Sequence, residues 1–329
     1  MAVQRHQAGK IIMVLNTQIE QDVMRGLSAQ QKSIPSKYFY NEKGDALFVK
    51  IMALPEYYLT RAELEIFTNN TSAIVEAFRM KRDVPFNFVE LGAGDGSKTI
   101  ILFEELLQQG FDFTYMPIDI SENALYLLKE KVEAELSDIK VDITAGDYFT
   151  SLEKIKFSGR PTVVLFLGSS LGNMLDEEAK RFLGKLSARL KKGDVFLLGT
   201  DNIKSAEVVL PAYNDAAGVT AAFNYNLLER LNEELGTNFN ISQFKHYPEY
   251  TEEEGIAKSF LESLEEQSVY FPNAASFIHF AKGEKIQTEI SRKYDKAIIE
   301  NLFDGTDLVL KEQFSDNHKY FTDSIFVKK

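Results

Sequence analysis

Apolar and polar positions fall into two textures along the chain. Gln18 to Leu27 spaces its apolar residues as a short helix, and the first eighty residues read as helical and aromatic-rich. Thr60 with Glu63 three residues on has the form of a capping box, which predicts a helix from Thr60 to about Arg79. From Pro85 short apolar runs alternate with amphipathic stretches. Asn87–Leu91, Thr114–Ile120, Ile139–Ala145, Thr162–Leu167 (TVVLFL) and Asp194–Leu198 read as strands. Lys98–Leu107, Ser121–Glu135 and Asp176–Leu190 read as helices. Continuous apolar strands are those covered on both faces, so the expected fold is α/β with a mostly parallel sheet.

After Asp201 the alternation stops. Tyr213–Leu235 predicts a long helical region broken near Gly218, and Phe260–Phe280 one or two strands. Asp295–Leu302 is helical again. Leu308–Gln313 and Tyr320–Val327 predict a hairpin around Ser315-Asp316-Asn317. The sheet is therefore interrupted by an insertion and resumes near the C-terminus.

Composition narrows the chemistry. The 329 residues include no Cys, which excludes disulfides, Fe–S clusters, thiolate zinc sites and a cysteine nucleophile. The four histidines, His6, His246, His279 and His318, are scattered and form no metal motif. A net charge of -12 disfavours non-specific nucleic-acid binding. Ile11–Leu15 is too short for a secretory core, and no stretch approaches the roughly 20 apolar residues of a membrane span. The expectation is a soluble cytoplasmic protein, a monomer, acting on a small molecule without nucleic acid, membrane or metal.

Candidate chemistry begins at the string Glu90-Leu91-Gly92-Ala93-Gly94-Asp95-Gly96-Ser97-Lys98, between a strand and a helix. Glycines allow a sharp turn and close approach to a ligand. The string lacks the GKS or GKT ending of a phosphate loop and departs from GxGxxG spacing. E-L-G-x-G-x-G resembles the first motif of class I S-adenosylmethionine (SAM) methyltransferases. The next strand ends in Asp119, an acid that can accept both ribose hydroxyls. Asp147 follows the third strand candidate and can accept from an adenine amino group, with Tyr148 packed beside the ring. A surface turn acid is common, so each alone is a weak signal; three at successive strand ends are a stronger one. The fourth strand runs into Gly168-Ser169-Ser170-Leu171-Gly172-Asn173, where Ser170 and Asn173 can hold a carboxylate or amine. The plain alternative is a helix start capped by Asn173.

Across nearly the whole chain, Ile34 to Val327, the strings KYFYNEKGDALF, LPEYYLTRAE, VELGAGDGSKT, PIDIS, FLGSSLGN, AYNDAAGVTAAFN and TEIS resemble the histidine-specific SAM-dependent methyltransferases, which include the enzyme making trimethylhistidine for ergothioneine synthesis. The resemblance implies a class I, Rossmann-like domain over 60–203 and 292–329, and a substrate-binding domain from 12–59 and 204–291. It implies SAM bound by Tyr58, Gly92, Lys98, Asp119, Asp147 and Tyr148. It implies an amino acid held by Asn173 and Tyr213 at its amine and carboxylate, with Gly168 and Ser170 nearby, Tyr40 on the imidazole, and Glu289 and Ser291 on its ring nitrogens. Asn173 and Tyr213 would orient the reacting amine, since no strong general base is visible. Ser259 stands where relatives carry Met, which points to a wider pocket. Two alternatives stay open: methylation of another amino acid such as tryptophan or a derivative, and a non-catalytic SAM-binding protein.

Overall fold

The computed structural model describes residues 17–148, 151 and 159–329. His6, the Ile11–Leu15 run and the start of the N-terminal segment at residue 12 lie outside them.

Elements are numbered along the chain. The main sheet contains β1 (Phe86–Leu91), β2 (Phe113–Asp119), β3 (Lys140–Val141), β4 (Thr144–Ala145), β5 (Thr162–Phe166), β6 (Val195–Asp201), β12 (Leu308–Ser315) and β13 (Phe321–Lys328). Its order is β12-β13-β6-β5-β1-β2-β3, with β4 also on β2. Neighbours run parallel except β13, which is antiparallel to β6 and β12. The stretch expected as one strand over Ile139–Ala145 is two short strands, β3 and β4, both parallel to β2 and in the same register with it.

Side chains along the central strands alternate between two cores. Phe86 and Phe88, Val163 and Leu165, and Val195 and Leu197 pack with α3 (Tyr58–Phe78) and α4 (Ser97–Gln108). Val89 and Leu91, Val164 and Phe166, and Phe196 and Leu198 pack with α6 (Asp176–Arg189) and α9 (Lys296–Phe303). Burial on both faces explains the unbroken apolar runs. Helix α5 (Glu122–Glu135) packs on β2, β3 and β4 and is capped by the Ser121 hydroxyl.

A third core lies apart from the main sheet. It joins α1 (Gln18–Leu27) and α2 (Glu42–Met52) to α8 (Val219–Leu235) and to the antiparallel sheet β11-β8-β7. Those strands are β7 (Phe244–Glu249), β8 (Ile256–Ser263) and β11 (Lys285–Arg292). A hairpin, β9 (Gln267–Phe271) with β10 (Ser276–Phe280), completes it. Phe39 stacks on Phe223 with ring centroids 4.4 Å apart. Gly44 is required here, since a Cβ would lie 1.8 Å from the Phe39 carbonyl oxygen. Among the described residues no helix is long and apolar enough to cross a membrane.

Three local expectations are corrected. Helix α3 starts at Tyr58 with no side-chain cap, so Thr60 and Glu63 form no capping box. Glu63 is instead wholly buried and bonded to distant groups. The region Tyr213–Leu235 is helical only from Val219, as α8, and Tyr213 caps the end of the preceding α7 (Ala206–Ala212). Asp215 restarts the chain by accepting from Val219 N (2.9 Å) and Thr220 N (2.7 Å) after Gly218 at φ 74. Phe260–Phe280 spans parts of three strands, and β7 and β11 add two that the pattern did not announce.

Candidate active site

From β1 the sheet continues to β2 on one side and to β5 on the other, so strand order reverses there. Ligands of open parallel sheets bind outside the carboxyl ends at such a reversal. The loops Gly92–Gly96 and Gly168–Asn173 leave those ends. Gly92, Gly94 and Gly96 have φ of 70, 54 and 66, the left-handed region that favours glycine. A Cβ at Gly92 would lie 2.5 Å from the Tyr148 hydroxyl, so the absent side chain is the space Tyr148 uses. The Tyr148 ring is edge-on to Phe166 at 5.1 Å. Asp119 Oδ1 accepts from Ser121 N (3.0 Å) and Oδ2 from Gly94 N (3.4 Å), and both oxygens keep a lone pair for a diol. Burial raises its pKa, the Ser121 and Gly94 amides oppose this, and Asp45 adds to it. Asp147 is exposed at the end of β4. A bare glycine turn, an acid and a ring thus line one end of the crevice, and these groups fit the adenosine part of SAM.

Lys98 stands at the second position of α4. It pairs with Glu63, which also accepts from Gly168 N at 2.9 and 3.1 Å. Burial opposes the Lys98 charge, but Glu63 outweighs it and raises the pKa. Lys98 Nζ is 3.7 Å from where a Cβ of Gly168 would stand, as is Ser170 Oγ. The Ser170 hydroxyl donates to Leu167 O at 2.8 Å. Glu63 therefore ties the two loops together.

The far side of the crevice is built by β11. Its register with β8 slips between Gln287 and Glu289, leaving Thr288 as an extra residue. Such a bulge re-aims side chains. Ile286 and Thr288 are buried before it, and Ser291 and Lys293 are buried after it, so the odd-numbered positions take over the inward face. Glu289 lies opposite Ser259, whose hydroxyl donates to Glu289 Oε2 at 3.3 Å. Burial lifts the Glu289 carboxyl to about 7, while Lys293 and Ser259 pull it down. Tyr40 is half-buried. Burial raises its pKa, followed by the fields of Glu289, Tyr148, Tyr57 and Asp119. It therefore stands within electrostatic reach of both ends of the crevice.

Tyr213, Ser291 and Tyr58 meet in one buried network. Lys293 Nζ donates to Tyr213 Oη (2.6 Å), Ser291 Oγ (2.9 Å) and Asp201 Oδ2 (2.8 Å). The Tyr58 hydroxyl donates to Asp201 Oδ2 (2.7 Å) and accepts from Lys204 (3.1 Å). Lys204 also pairs with Asp201. Tyr58 thus sits with Tyr213 at the end of β6. Asn173 ends a 3-10 turn (Ser170–Asn173), exposed. The next helix is preceded by Leu175 and has no side-chain cap, so Asn173 is not a cap.

Four groups here carry no sequence signal of their own. Lys293, Asp201 and Tyr57 read as ordinary charged or aromatic residues, and Glu63 reads as a helix-capping residue. Tyr57 adjoins Tyr58 in LPEYYLTRAE. Burial, then Tyr213 and Glu289, raise its phenol pKa.

The sequence matches the family described as "Histidine-specific methyltransferase, SAM-dependent" over residues 19–328. It is 36% identical over 276 residues, 84% of each chain, to the histidine N-alpha-methyltransferase of Mycolicibacterium smegmatis. To the protein of the same description in Mycobacterium tuberculosis it is 34% identical, again over 84% of each chain. The L-tryptophan methyltransferase of Psilocybe serbica is 26% identical over 87% of this chain and 85% of its own. By the extent of these matches, the chain belongs to the histidine-specific, SAM-dependent methyltransferases.

Proposed function

We propose that the protein trimethylates the α-amine of L-histidine to give its betaine, hercynine, with SAM as donor. The observation that supports the reading is Glu289 on β11, opposite Ser259; the field of Glu289 acts on Tyr40 together with those of Tyr148 and Asp119. SAM supplies an electrophilic methyl on a sulfonium. Asp119, Asp147 and Tyr148 hold the adenosine, with Gly92 and Lys98 at the loop and Tyr58 bracing the site through Asp201. Tyr213 and Asn173, with Gly168 and Ser170 nearby, hold the carboxylate and amine and aim the lone pair. Their contribution is orientation, which removes entropy from the barrier. Each transfer would form an N–C bond as the donor's S–methyl bond breaks, with S-adenosylhomocysteine as the leaving group, and requires an unprotonated amine. A reference pKa near 8 leaves a small neutral fraction at pH 7, and the proton leaves to water. Glu289 accepts a ring N–H, and an apolar side chain would leave that carboxyl unpaired.

In this reading residues 60–203 and 292–329 form the donor-binding unit. The third core, within 12–59 and 204–291, forms the substrate unit. Incubation of the purified chain with SAM and single amino acids, read by mass, tests it. Mono-, di- and trimethylated histidine is the expected series. Methylation of tryptophan and not histidine would favour the second reading, for which the small Ser259 beside Glu289 is the supporting observation.

A further inference from the structure

We propose that Lys293 is the positioning residue that makes this pocket select an α-carboxylate, by fixing the Tyr213 hydroxyl as a donor toward it. The inference rests on the amino-acid methyltransferase reading above. An ammonium group has three N–H donors and no acceptor. All three of Lys293 are used, on Asp201, Tyr213 and Ser291. The side chain is fully buried, so no water competes for them. Tyr213 Oη therefore accepts from Lys293. The one proton the phenol owns is then left for the pocket.

Charge points the same way. Two ammonium groups, Lys293 and Lys204, share the single carboxylate Asp201. Glu289 and Asp201 also act on Tyr213, so it is the direct 2.6 Å contact of the Lys293 ammonium, not a net charge of the cluster, that backs the phenol. A phenol that accepts from an ammonium is a stronger donor than a free one, because the bonds polarise one another. A donor backed by positive charge favours an anion over a neutral amide. The group is also placed by the fold: Asp201 ends β6 of the main sheet, and Lys293 directly follows β11 of the insertion, its amide bonded to Gly255 O at 2.7 Å. Neither residue touches the reacting methyl in this account, and both act through Tyr213.

The test compares L-histidine with L-histidinamide, which lacks the carboxylate charge, in the wild-type chain, Lys293→Met and Tyr213→Phe. Calorimetry of S-adenosylhomocysteine binding accompanies each variant as the check on folding. In Lys293→Met, kcat/KM for histidine should fall roughly 30- to 100-fold, the worth of a hydrogen bond to a charged group. Turnover of histidinamide should change by less than about 3-fold, and S-adenosylhomocysteine affinity should hold. Tyr213→Phe should lower turnover of both substrates, because Tyr213 also aims the amine, but should lose clearly more on histidine than on histidinamide. The double variant should cost little more than the worse single, because the two act as a unit. Equal losses on both substrates with binding intact would overturn the proposal. If Lys293→Met no longer binds S-adenosylhomocysteine, Tyr213→Phe decides by the same criterion. A wild-type chain that binds S-adenosylhomocysteine yet methylates neither compound would overturn the functional reading itself, a result distinct from unselective loss.

Discussion

Ser259 stands directly opposite Glu289 across β8 and β11, and its hydroxyl donates to the carboxylate that faces the crevice. Burial holds that carboxyl near 7, and the Ser259 hydroxyl is one of the groups favouring its ionised form. The ionised form, which accepts a ring N–H, is populated above that value. Ser259→Ala removes one stabilising donor and should move the acid limb of the kcat/KM–pH profile for histidine upward by a fraction of a pH unit. The amine's own titration is common to both enzymes and cancels in the comparison. An acid limb that stays put or moves down would separate Ser259 from the function of Glu289.

Glu289 itself should matter for the ring and not for the donor. Glu289→Ala should lower kcat/KM for histidine by about 100-fold, the cost of losing a charged hydrogen bond. S-adenosylhomocysteine affinity, measured by calorimetry, should remain within about 3-fold. Undiminished histidine turnover would show that the imidazole is held elsewhere.

At the other end of the crevice the Gly92–Tyr148 contact makes a paired prediction. Gly92→Ala places a Cβ 2.5 Å from the Tyr148 hydroxyl at a φ of 70. The left-handed backbone alone costs about 1 to 2 kcal/mol. The clash adds to this unless the hydroxyl is removed. Gly92→Ala should therefore weaken S-adenosylhomocysteine binding more in the parent chain than in Tyr148→Phe. Calorimetry on the four combinations measures the difference, and strict additivity would show that the hydroxyl does not fill that space in solution.

The central strands were legible because burial on both faces forces continuous apolar residues, as in TVVLFL. The glycine turn and Asp119 were legible because their positions at strand ends carry chemistry. Glu63 misled the reading: its spacing from Thr60 is that of a cap, but Gly168 N and Lys98 claim it across the fold. The strand β11 escaped notice because its bulge breaks the alternation just where Glu289 and Ser291 lie. Those two residues were reached by resemblance, not by pattern. Lys293 and Asp201 could not be paired from sequence at all, since their meeting depends on where the insertion returns to the sheet.

The Asp201 network also carries stability. Asp201 is wholly buried and receives Tyr58, Lys293 and Lys204. Removing one partner of a buried charge set leaves the others uncompensated, at a cost of about 3 to 5 kcal/mol. Asp201→Ala should lose that much in urea denaturation, with the slope unchanged. Lys293→Met should lose less, since Asp201 then keeps Lys204 and the Tyr58 hydroxyl. A loss below about 1 kcal/mol for Asp201→Ala would mean that the pocket, not the fold, is what the network serves.

His246 sets an acid limit on the third core. It is buried on β7, and neither ring nitrogen has a hydrogen-bond partner among the described residues. Burial pushes its pKa down to about 4, with Asp215 opposing. An unfolded histidine titrates near 6.5, so the unfolded chain takes up this proton first as pH falls. The stability tied to the neutral ring is present above about 6.5 and is lost as pH falls toward 4. At pH 4.5 that loss amounts to about 2 to 3 kcal/mol. Glu289 and Glu90 titrate with raised values and the opposite sign, but they are unchanged in a His246 variant. The wild-type chain should therefore lose about 2 to 3 kcal/mol more than His246→Leu between pH 7.5 and 4.5, compared by urea denaturation. Equal losses in the two chains would place the proton on His246 at no cost to the fold, and the ring would then have a partner in solution that its buried setting does not show.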